Sequence, residues 1–336
     1  MSTTPPGSAA GGGGREGSLE APTRLALDWR NPDFYDEAAL TKELERVFDI
    51  CHGCRRCFSL CNAFPTLFDA VDASDSGEVD GVDKKVFWEV VDHCYLCDMC
   101  FMTKCPYVPP HPWNVDFPHL MLRAKATRNR KRGEGFRNKT LAATDTVGNL
   151  AGIPVVAEIV NAVNSTSVGR SLLEKALGVD RTAPLPKYYS RTARKRLGRL
   201  GTTASRGASA AARVVTPTEG TTGKVALFTT CYGNRNEPEL DEDLVAVFEH
   251  NDIPVTLIAQ EKCCGMPRLE LGDLEQVARL KDFNVPHLKQ AIDAGYDIVA
   301  PIPSCVLMFK QELRLMFPDD IDVQRIASGF LIRSST

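Results

Sequence analysis

Two cysteine runs constrain most strongly what this chain can fold into. The first, CHGCRRCFSLC at residues 51–61, has the spacing C-x2-C-x2-C-x3-C, and the second, CYLCDMCFMTKCP at residues 94–106, has C-x2-C-x2-C-x4-C. The N-terminal stretch MSTTPPGSAAGGGG has neither the basic region nor the apolar core of a signal peptide, so we expect a cytoplasmic chain with reduced thiols. Thiols clustered at short, fixed spacings in a reducing compartment are typical of metal ligands or redox groups.

The cysteines come in groups of three, and this grouping distinguishes an iron-sulfur cluster from a zinc site. A structural zinc site usually takes its ligands as two separated pairs of cysteines. A cubane iron-sulfur cluster can instead take three ligands from one short loop and the fourth from elsewhere. Each run supplies such a triplet with a fourth cysteine just beyond it. We therefore predict two [4Fe-4S] clusters, with zinc binding and free structural cysteines as the alternatives.

Both runs resemble those of bacterial two-cluster [4Fe-4S] ferredoxin modules. In that family the fourth cysteine of each run binds the other cluster. The resemblance implies two crossed ligand sets, which are Cys51, Cys54 and Cys57 with Cys105, and Cys94, Cys97 and Cys100 with Cys61. The chain departs from the family pattern in two places, because Asn62 follows Cys61 where proline is usual and the second run has one extra residue before Cys105.

The C-terminal third has the alternating pattern of an α/β domain. KVALFTT, PVTLIAQ and DIVAPI are short apolar runs typical of buried parallel strands, and helical patterns such as DEDLVAVFEH and LEQVARL separate them. A cysteine follows each strand: Cys231, then Cys263 and Cys264, then Cys305. In a parallel sheet all four would gather at the carboxyl edge, where such sheets bind ligands. We predict that they bind a cofactor or cycle as thiols; plain buried cysteines are the alternative.

The motif around Cys263 resembles the cysteine-rich CCG domain found in one subunit of heterodisulfide reductase and in one subunit of anaerobic glycerol-3-phosphate dehydrogenase. The matching residues are Cys231 and, after a gap of thirty-one, Cys263-Cys264-Gly265-Met266-Pro267. The family often continues with C-x2-C, whereas here only Cys305 is present. A ferredoxin module followed by a CCG domain is the order in the glycerol-3-phosphate dehydrogenase protein. Such proteins usually carry two CCG repeats and this sequence has one, so a truncated form is an open alternative.

These patterns predict an α+β multidomain chain in four parts. They are a disordered arm at 1–28, a helical two-[4Fe-4S] ferredoxin-like domain at 29–122, a helical basic segment with a linker at 123–222, and an α/β parallel-sheet CCG domain at 223–336. Helical periodicity is clearest in DEAALTKELERVFDI and KKVFWEVVDH. The apolar stretch at residues 147–163 predicts a buried or interfacial helix.

Charge and motif content exclude several functions. The net charge is −3, and no recognition motif or interleaved aromatic residue accompanies the basic runs, so we expect no nucleic-acid binding. The basic stretches, from Arg123 and from Arg191, predict solvated faces or docking to an acidic partner or anionic lipid. No G-x-G-x-x-G opens a helix after a strand, so hydride chemistry would need a flavin partner.

The function expected from the sequence is electron transfer. We predict an iron-sulfur subunit of an oxidoreductase complex that passes single electrons between a flavoprotein dehydrogenase, or another redox subunit, and a quinone or an acceptor at the CCG site. We also predict that the protein contacts the cytoplasmic face of the membrane, or the quinone within it, as a peripheral protein. The alternatives are a disulfide or quinone reductase with its chemistry at the CCG cysteines, and a zinc-stapled interaction protein.

Overall fold

The protein forms two compact units. The computed structural model describes residues 17–18, 20–204 and 221–331. The first unit comprises the described residues of 1–25 together with 36–124, and the second comprises 26–35 with the described residues of 125–336. The first unit carries both cysteine runs, and the second carries the CCG motif.

The first unit is helical. Its helices are α1 (Glu37–Cys54), α2 (Ala63–Asp72) and α3 (Lys84–Asp92), and α4 (Phe117–Arg132) includes residues of both units. A 3-10 turn spans Val79–Gly81, and a π-helical segment spans Cys100–Lys104. Helix α1 begins where the Asp36 carboxylate accepts a hydrogen bond from the Ala39 N–H, which satisfies one of the free donors of the first turn. The two helices predicted around residues 36–50 and 84–93 are thus present.

Aromatic side chains fill the core of this unit. Leu40, Leu44, Val47 and Phe48 recur on one face of α1 and are buried. The ring of Phe48 lies edge-on to Phe87 of α3, with ring centres 4.9 Å apart. Burying rings of this size, roughly 2–3 kcal/mol each, holds the helices that present the cysteines.

Two residues of the predicted arm, Ser18 and Thr23, make backbone hydrogen bonds within the first unit. The Ser18 N–H donates to the Pro106 carbonyl over 2.9 Å, and the Thr23 N–H donates to the Pro109 carbonyl over the same distance. Residues 1–16 and 19, which also belong to that predicted arm, lie outside the described residues.

The second unit is a small sheet surrounded by helices. After a 3-10 turn at Pro32–Tyr35, its helices are α5 (Phe136–Ala142), α6 (Thr144–Ala151), α7 (Val156–Ser165), α8 (Ser167–Leu177), α9 (Ala193–Arg196), α10 (Cys231–Arg235), α11 (Pro238–His250), α12 (Met266–Glu270), α13 (Leu274–Asp293), α14 (Pro303–Leu307), α15 (Leu313–Met316) and α16 (Ile321–Gly329). A 3-10 turn at Gly198–Leu200 and a π-helical segment at Met308–Glu312 complete it.

The three predicted strands form one parallel sheet. They are β1 (Val225–Leu227), β2 (Val255–Leu257) and β3 (Asp297–Val299), in the order β2-β1-β3. Val225 pairs with Val255 on one side and with Asp297 on the other. All residues of the three strands are buried, as expected for a parallel sheet covered on both faces. The parallel C-terminal sheet predicted from the sequence is confirmed.

The apolar stretch at residues 147–163 was predicted to form one helix, but it forms two. It is divided between α6 and α7, which meet at 103°. Pro154 lies in the break and cannot continue a helix, and Val155 has a φ of +71°. Among the described residues, no single helix combines the length and apolar composition needed to cross a bilayer, whereas this bent pair has them jointly.

The second basic run, from Arg191, makes ion pairs within its own unit. Arg196 contacts Glu239 and Glu242 of α11 at 2.9 Å, and Arg199 pairs with Glu249 at 2.6 Å. These guanidinium groups therefore hold α9 and its following turn against α11. Residues 205–220 of the predicted linker lie outside the described residues.

Candidate functional site

One pocket in the first unit is surrounded by four cysteines. Helix α1 ends at Cys54, and the left-handed conformation of Arg55, with a φ of +53°, turns the chain toward Cys57. The four cysteines that line this pocket are Cys51, Cys54, Cys57 and Cys105, and Phe64, Phe68 and Val115 add apolar walls. Among the described residues that line it there is neither Cys61 nor Cys97.

The electrostatics of this pocket suit a cationic group. Burial raises the pKa of Cys51 well above its usual range, and the neighbouring thiols of Cys105, Cys57 and Cys54 raise it further. Four thiolates at such a site would repel one another unless positive charge lay between them. Backbone N–H groups of Tyr107 and Val108 donate to the Cys105 sulfur, which is the kind of contact that tunes iron-sulfur ligands. The donor set therefore fits an iron-sulfur cluster.

The cysteines assigned to the second cluster differ from one another in their exposure to solvent. Cys94 is buried, Cys61 and Cys100 are half-buried, and Cys97 is exposed. Burial raises the pKa of Cys100, and Cys94, Cys57 and Cys51 add to that rise, so these thiols are neighbours. Leu96 and Asp98 have φ values of +52° and +61°, which side-chain-bearing residues rarely adopt. The loop between Cys94 and Cys100 is thus held in a strained conformation.

An arginine from the N-terminal segment holds that loop. The Arg24 guanidinium donates to both carboxylate oxygens of Asp98, at 2.5 and 2.8 Å, and to those of Asp116, at 2.9 and 3.1 Å. It also lies 4.4 Å from the centre of the Phe101 ring. The side chains of Arg24 and Asp98 are only 6% and 4% exposed, so this is a buried, two-sided ion pair.

We expect Arg24→Met to destabilise the second cysteine loop. The change leaves the buried carboxylates of Asp98 and Asp116 without their shared cation, which typically costs about 3–5 kcal/mol. For the cluster predicted from the sequence at the second run, iron should be lost to a chelator faster than from the wild type. Arg46→Met is the control, because Arg46 pairs with Glu43 on an exposed surface where about 1 kcal/mol or less is expected. Equal rates of iron loss in the two variants would contradict this role.

The structure brings the four C-terminal cysteines together at one edge of the sheet. Cys231 begins α10 after β1, Cys263 and Cys264 follow β2, and Cys305 lies in α14 after β3. The Sγ atoms of Cys231 and Cys263 are 3.9 Å apart. Cys264 interacts through its thiol with both Cys263 and Cys305. All four are at or near the carboxyl ends of parallel strands, where this kind of sheet presents its ligand sites.

The interactions among these thiols favour ionisation of Cys263. Hydrogen bonds from the thiols of Cys231 and Cys264 lower the pKa of Cys263 to about 3, while the same interactions raise the pKa of Cys231 and of Cys264. The Cys263 backbone N–H donates to Asp145 Oδ2 over 2.8 Å, and its carbonyl accepts from the buried Asn284 amide. The resulting thiolate can act as a nucleophile or as a metal ligand.

The backbone around these thiols is strained. Thr230, a β-branched residue, has a φ of +62° immediately before Cys231, and its hydroxyl accepts a hydrogen bond from the Gly233 N–H. Gly265 has a φ of +103° immediately after Cys264, a conformation that glycine adopts without cost. These two residues set the direction of the chain next to Cys231 and Cys264.

Glu261 and Asp241 are neighbouring acidic side chains in the second unit. The carboxylate of Glu261 accepts from the N–H and the hydroxyl of Thr229 and pairs with Arg194 at 3.3 Å. Asp241 of α11 is fully buried, and neither of its carboxylate oxygens has a hydrogen-bond partner in the described residues. Burial, assisted by the negative charge of Glu261 and opposed by Arg194, raises the pKa of Asp241 to about 8. Asp241 is therefore neutral at pH 7.

Asp241→Asn should remove a pH dependence of stability. Between about pH 4 and pH 8 the folded state keeps a proton on Asp241 that the unfolded state has released, so stability falls with rising pH by about 1.4 kcal/mol per unit. Amide hydrogen exchange of α11 peptides, corrected for the intrinsic rate, measures this between pH 5 and pH 8. Asp243→Asn, at an exposed position of the same helix, is the control. A slope unchanged in Asp241→Asn would contradict the raised pKa.

Several of these groups have no motif that sequence reasoning could use. Asp145 and Asn284 contact the backbone of Cys263 from segments distant in sequence. Glu261 accepts a hydrogen bond from Thr229, and no distinguishing spacing marks it in the sequence. Within the described part of the chain, no group of three or more His, Cys, Asp or Glu side chains is placed to hold a single metal ion. A cubane has four metal corners rather than one, so its ligands surround a larger volume.

Comparison with known proteins assigns the C-terminal motif. Residues 225–310 match the family model of the CCG cysteine-rich domain. Over 213 residues, 63% of this chain and 48% of the relative, the sequence is 29% identical to a subunit of anaerobic glycerol-3-phosphate dehydrogenase of Escherichia coli strain K12. The predicted resemblances to that dehydrogenase protein and to the CCG domain are confirmed.

Two further relatives match shorter segments. Lactate utilization protein A of Exiguobacterium sp. is 35% identical over 96 residues, which is 29% of this chain and 38% of that protein. Citrate utilization protein B of Escherichia coli is 28% identical over 83 residues, which is 25% of this chain and 19% of that protein. The chain spans about half the length of the glycerol-3-phosphate dehydrogenase relative and less of the other two. No solved structure matches the chain.

Proposed function

We propose that this chain is an iron-sulfur electron-transfer subunit of an oxidoreductase complex, a proposal that proceeds from the CCG domain at residues 225–310. The observation that carries it is the convergence of Cys51, Cys54, Cys57 and Cys105 on one pocket, with no His, Asp or Glu among the described residues that line it. The similarity to a subunit of a glycerol-3-phosphate dehydrogenase supports the same role.

The proposed ligand assignment follows the crossed arrangement. Cys105 joins Cys51, Cys54 and Cys57 at one [4Fe-4S] cluster, and Cys61 joins Cys94, Cys97 and Cys100 at a second. When bound, such clusters accept and release one electron at a time. The residues of the chain supply the rest: apolar walls from Phe64 and Phe68 limit solvent access, and backbone N–H donors at Cys105 stabilise negative charge on its sulfur.

The proposed partner is a flavoprotein dehydrogenase or another redox subunit. Oxidation of an organic substrate releases an electron pair, and single-electron carriers need a flavin or an equivalent group to divide it. The basic residues from Arg123 to Lys139 are the proposed docking region. The proposed location is the cytoplasm, with a peripheral contact on the cytoplasmic face of the membrane, and the proposed electron acceptor is a quinone or a group at the CCG site.

The test is reconstitution with and without a flavoprotein. The anaerobically loaded chain is mixed with glycerol 3-phosphate, or with reduced nicotinamide, and a dye acceptor. We expect dye reduction only when a flavoprotein partner from the same cell is added, with cluster reduction visible by electron paramagnetic resonance. Turnover by the chain alone, with no flavin detectable, would contradict the electron-carrier proposal.

A second candidate function is a disulfide reductase at the CCG cysteines. The 3.9 Å separation of the Cys231 and Cys263 sulfurs and the low pKa of Cys263 favour it, because a thiolate beside a thiol can cycle through a disulfide. Each turnover would form one S–S bond in the protein, reduce one substrate disulfide to two thiols and need two electrons to restore the dithiol. Cys263→Ala should abolish turnover of a disulfide substrate, and unchanged turnover would exclude this candidate.

A further inference from the structure

A large apolar cavity in the second unit reaches the CCG cysteines. Its volume is about 420 Å³, within the range of roughly 300–1,000 Å³ that small-molecule sites occupy. Helices α5 to α8 form most of its wall, with Val160 of α7 and Leu173 of α8 among the apolar side chains. Cys231 of α10 is also part of the wall. None of the described residues that line the cavity is charged.

Close glycine contacts fix the helices that frame this cavity. A Cβ on Gly148 of α6 would lie 2.2 Å from the Arg235 side chain, and one on Gly152 would lie 2.8 Å from the Gly148 carbonyl. A Cβ on Gly169 of α8 would lie 2.1 Å from the Val163 carbonyl at the end of α7. The 103° bend between α6 and α7 directs α7 away from the line of α6. The backbone contacts at Gly152 and Gly169 leave no room for a larger residue, whereas the flexible Arg235 side chain can move aside from a Cβ at Gly148.

Two of the hydroxyl groups that line the cavity, those of Thr144 and Tyr188, lie near Cys231. The Thr144 hydroxyl is buried, has no hydrogen-bond partner of ordinary geometry among the described residues, and is close enough to the thiols of Cys231 and Cys263 to lower their pKa. The Tyr188 hydroxyl lies near the same thiol, since burial and then Cys231 raise its pKa. These two hydroxyls can donate hydrogen bonds to an oxygen of a bound molecule.

We infer that this cavity binds a quinone, with the carbonyl-bearing ring toward Thr144, Tyr188 and Cys231 and the apolar substituent along α7 and α8. The inference rests on the proposed function and selects the acceptor for it. A hydrophilic, charged disulfide would lose its hydration in this cavity and gain no ion pair, because no described lining residue carries a charge. A flat ring with two acceptor oxygens and an apolar tail satisfies both the hydroxyl end and the aliphatic walls.

The test is binding of two quinones by the intact, anaerobically loaded chain. Isothermal titration calorimetry with 2-methyl-1,4-naphthoquinone and with a decyl-substituted benzoquinone should give saturable binding to the wild type. Leu173→Trp and Val160→Phe place larger side chains in the cavity and should each raise the Kd at least tenfold. The matched controls are Leu172→Trp and Ile159→Phe, because each lies next to a lining residue but is exposed, and their Kd should change less than twofold.

The outcomes separate the two proposals. The cavity assignment is overturned if the chain carries reducible clusters but binds neither quinone. It is also overturned if the cavity variants and the controls lose quinone binding equally. Either result leaves the electron-carrier proposal standing. Displacement of the quinone by glutathione disulfide would also overturn it, because the site would then accept a charged substrate. A chain that binds quinone but contains no iron overturns the electron-carrier proposal instead.

Discussion

Cys105→Ala is expected to remove about four of the eight irons assigned to the two cysteine runs, and Cys51→Ala should remove the same four. Both cysteines line one pocket, so each substitution deprives the same cluster of a ligand. The double variant Cys51→Ala with Cys105→Ala should therefore lose no more iron than either single variant. Alanine is used because a serine oxygen could still bind iron.

The pair Cys51→Ala with Cys61→Ala is the matched comparison. These two cysteines lie ten positions apart in the same run, yet the crossed arrangement assigns them to different clusters, so this double variant should lose about eight irons. Iron analysis and electron paramagnetic resonance of the reduced proteins measure both effects. Loss of about four irons from the Cys51–Cys61 pair together with about eight from the Cys51–Cys105 pair would show that each run binds its own cluster.

Gly272→Ala is expected to destabilise the second unit by about 3 kcal/mol or more. Gly272 has a φ of +74° in the turn between α12 and α13, and a Cβ there would lie 2.4 Å from backbone atoms of Lys125 and Ala126. Backbone cannot move aside as a flexible side chain can, so the strain of the left-handed conformation adds to a steric clash.

Gly133→Ala separates these two causes. Gly133 has a φ of +66°, but no atom lies within 4 Å of the position that its Cβ would take. It should therefore show the conformational cost alone, about 1–2 kcal/mol. Thermal unfolding of the two variants under identical cluster loading measures the difference. Equal shifts of the midpoint would show that the contact with residues 125 and 126 contributes nothing.

Local patterns predicted the elements that have strong periodicity. The stripe of Leu40, Leu44 and Phe48 forms the buried face of α1, and the short, mostly apolar runs at Val225 and Val255 form paired parallel strands. The strand topology in turn places Cys231 and Cys263 near each other, because parallel strands present their carboxyl ends at one edge. These inferences needed only spacing and the chirality of crossover connections.

Features set by tertiary contacts could not be predicted in this way. Nothing in the composition of residues 17–28 distinguishes Arg24, whose role depends on Asp98 and Asp116 lying on either side of its guanidinium. The bend between α6 and α7 is a different case, because Pro154 is visible in the sequence and lies in the break, although residues 147–163 were predicted as one helix. The cavity behind Cys231 likewise exists only where four helices are packed together.

The iron and acid-labile sulfide content of the intact, anaerobically purified chain tests the central claim most directly. Two cubanes require about eight irons and eight sulfides per chain from the two cysteine runs, in a ratio of one to one, with any group at the CCG cysteines adding to that number. A chain that contains zinc in their place, or that contains neither metal nor sulfide and has all twelve thiols free to react, would contradict the account.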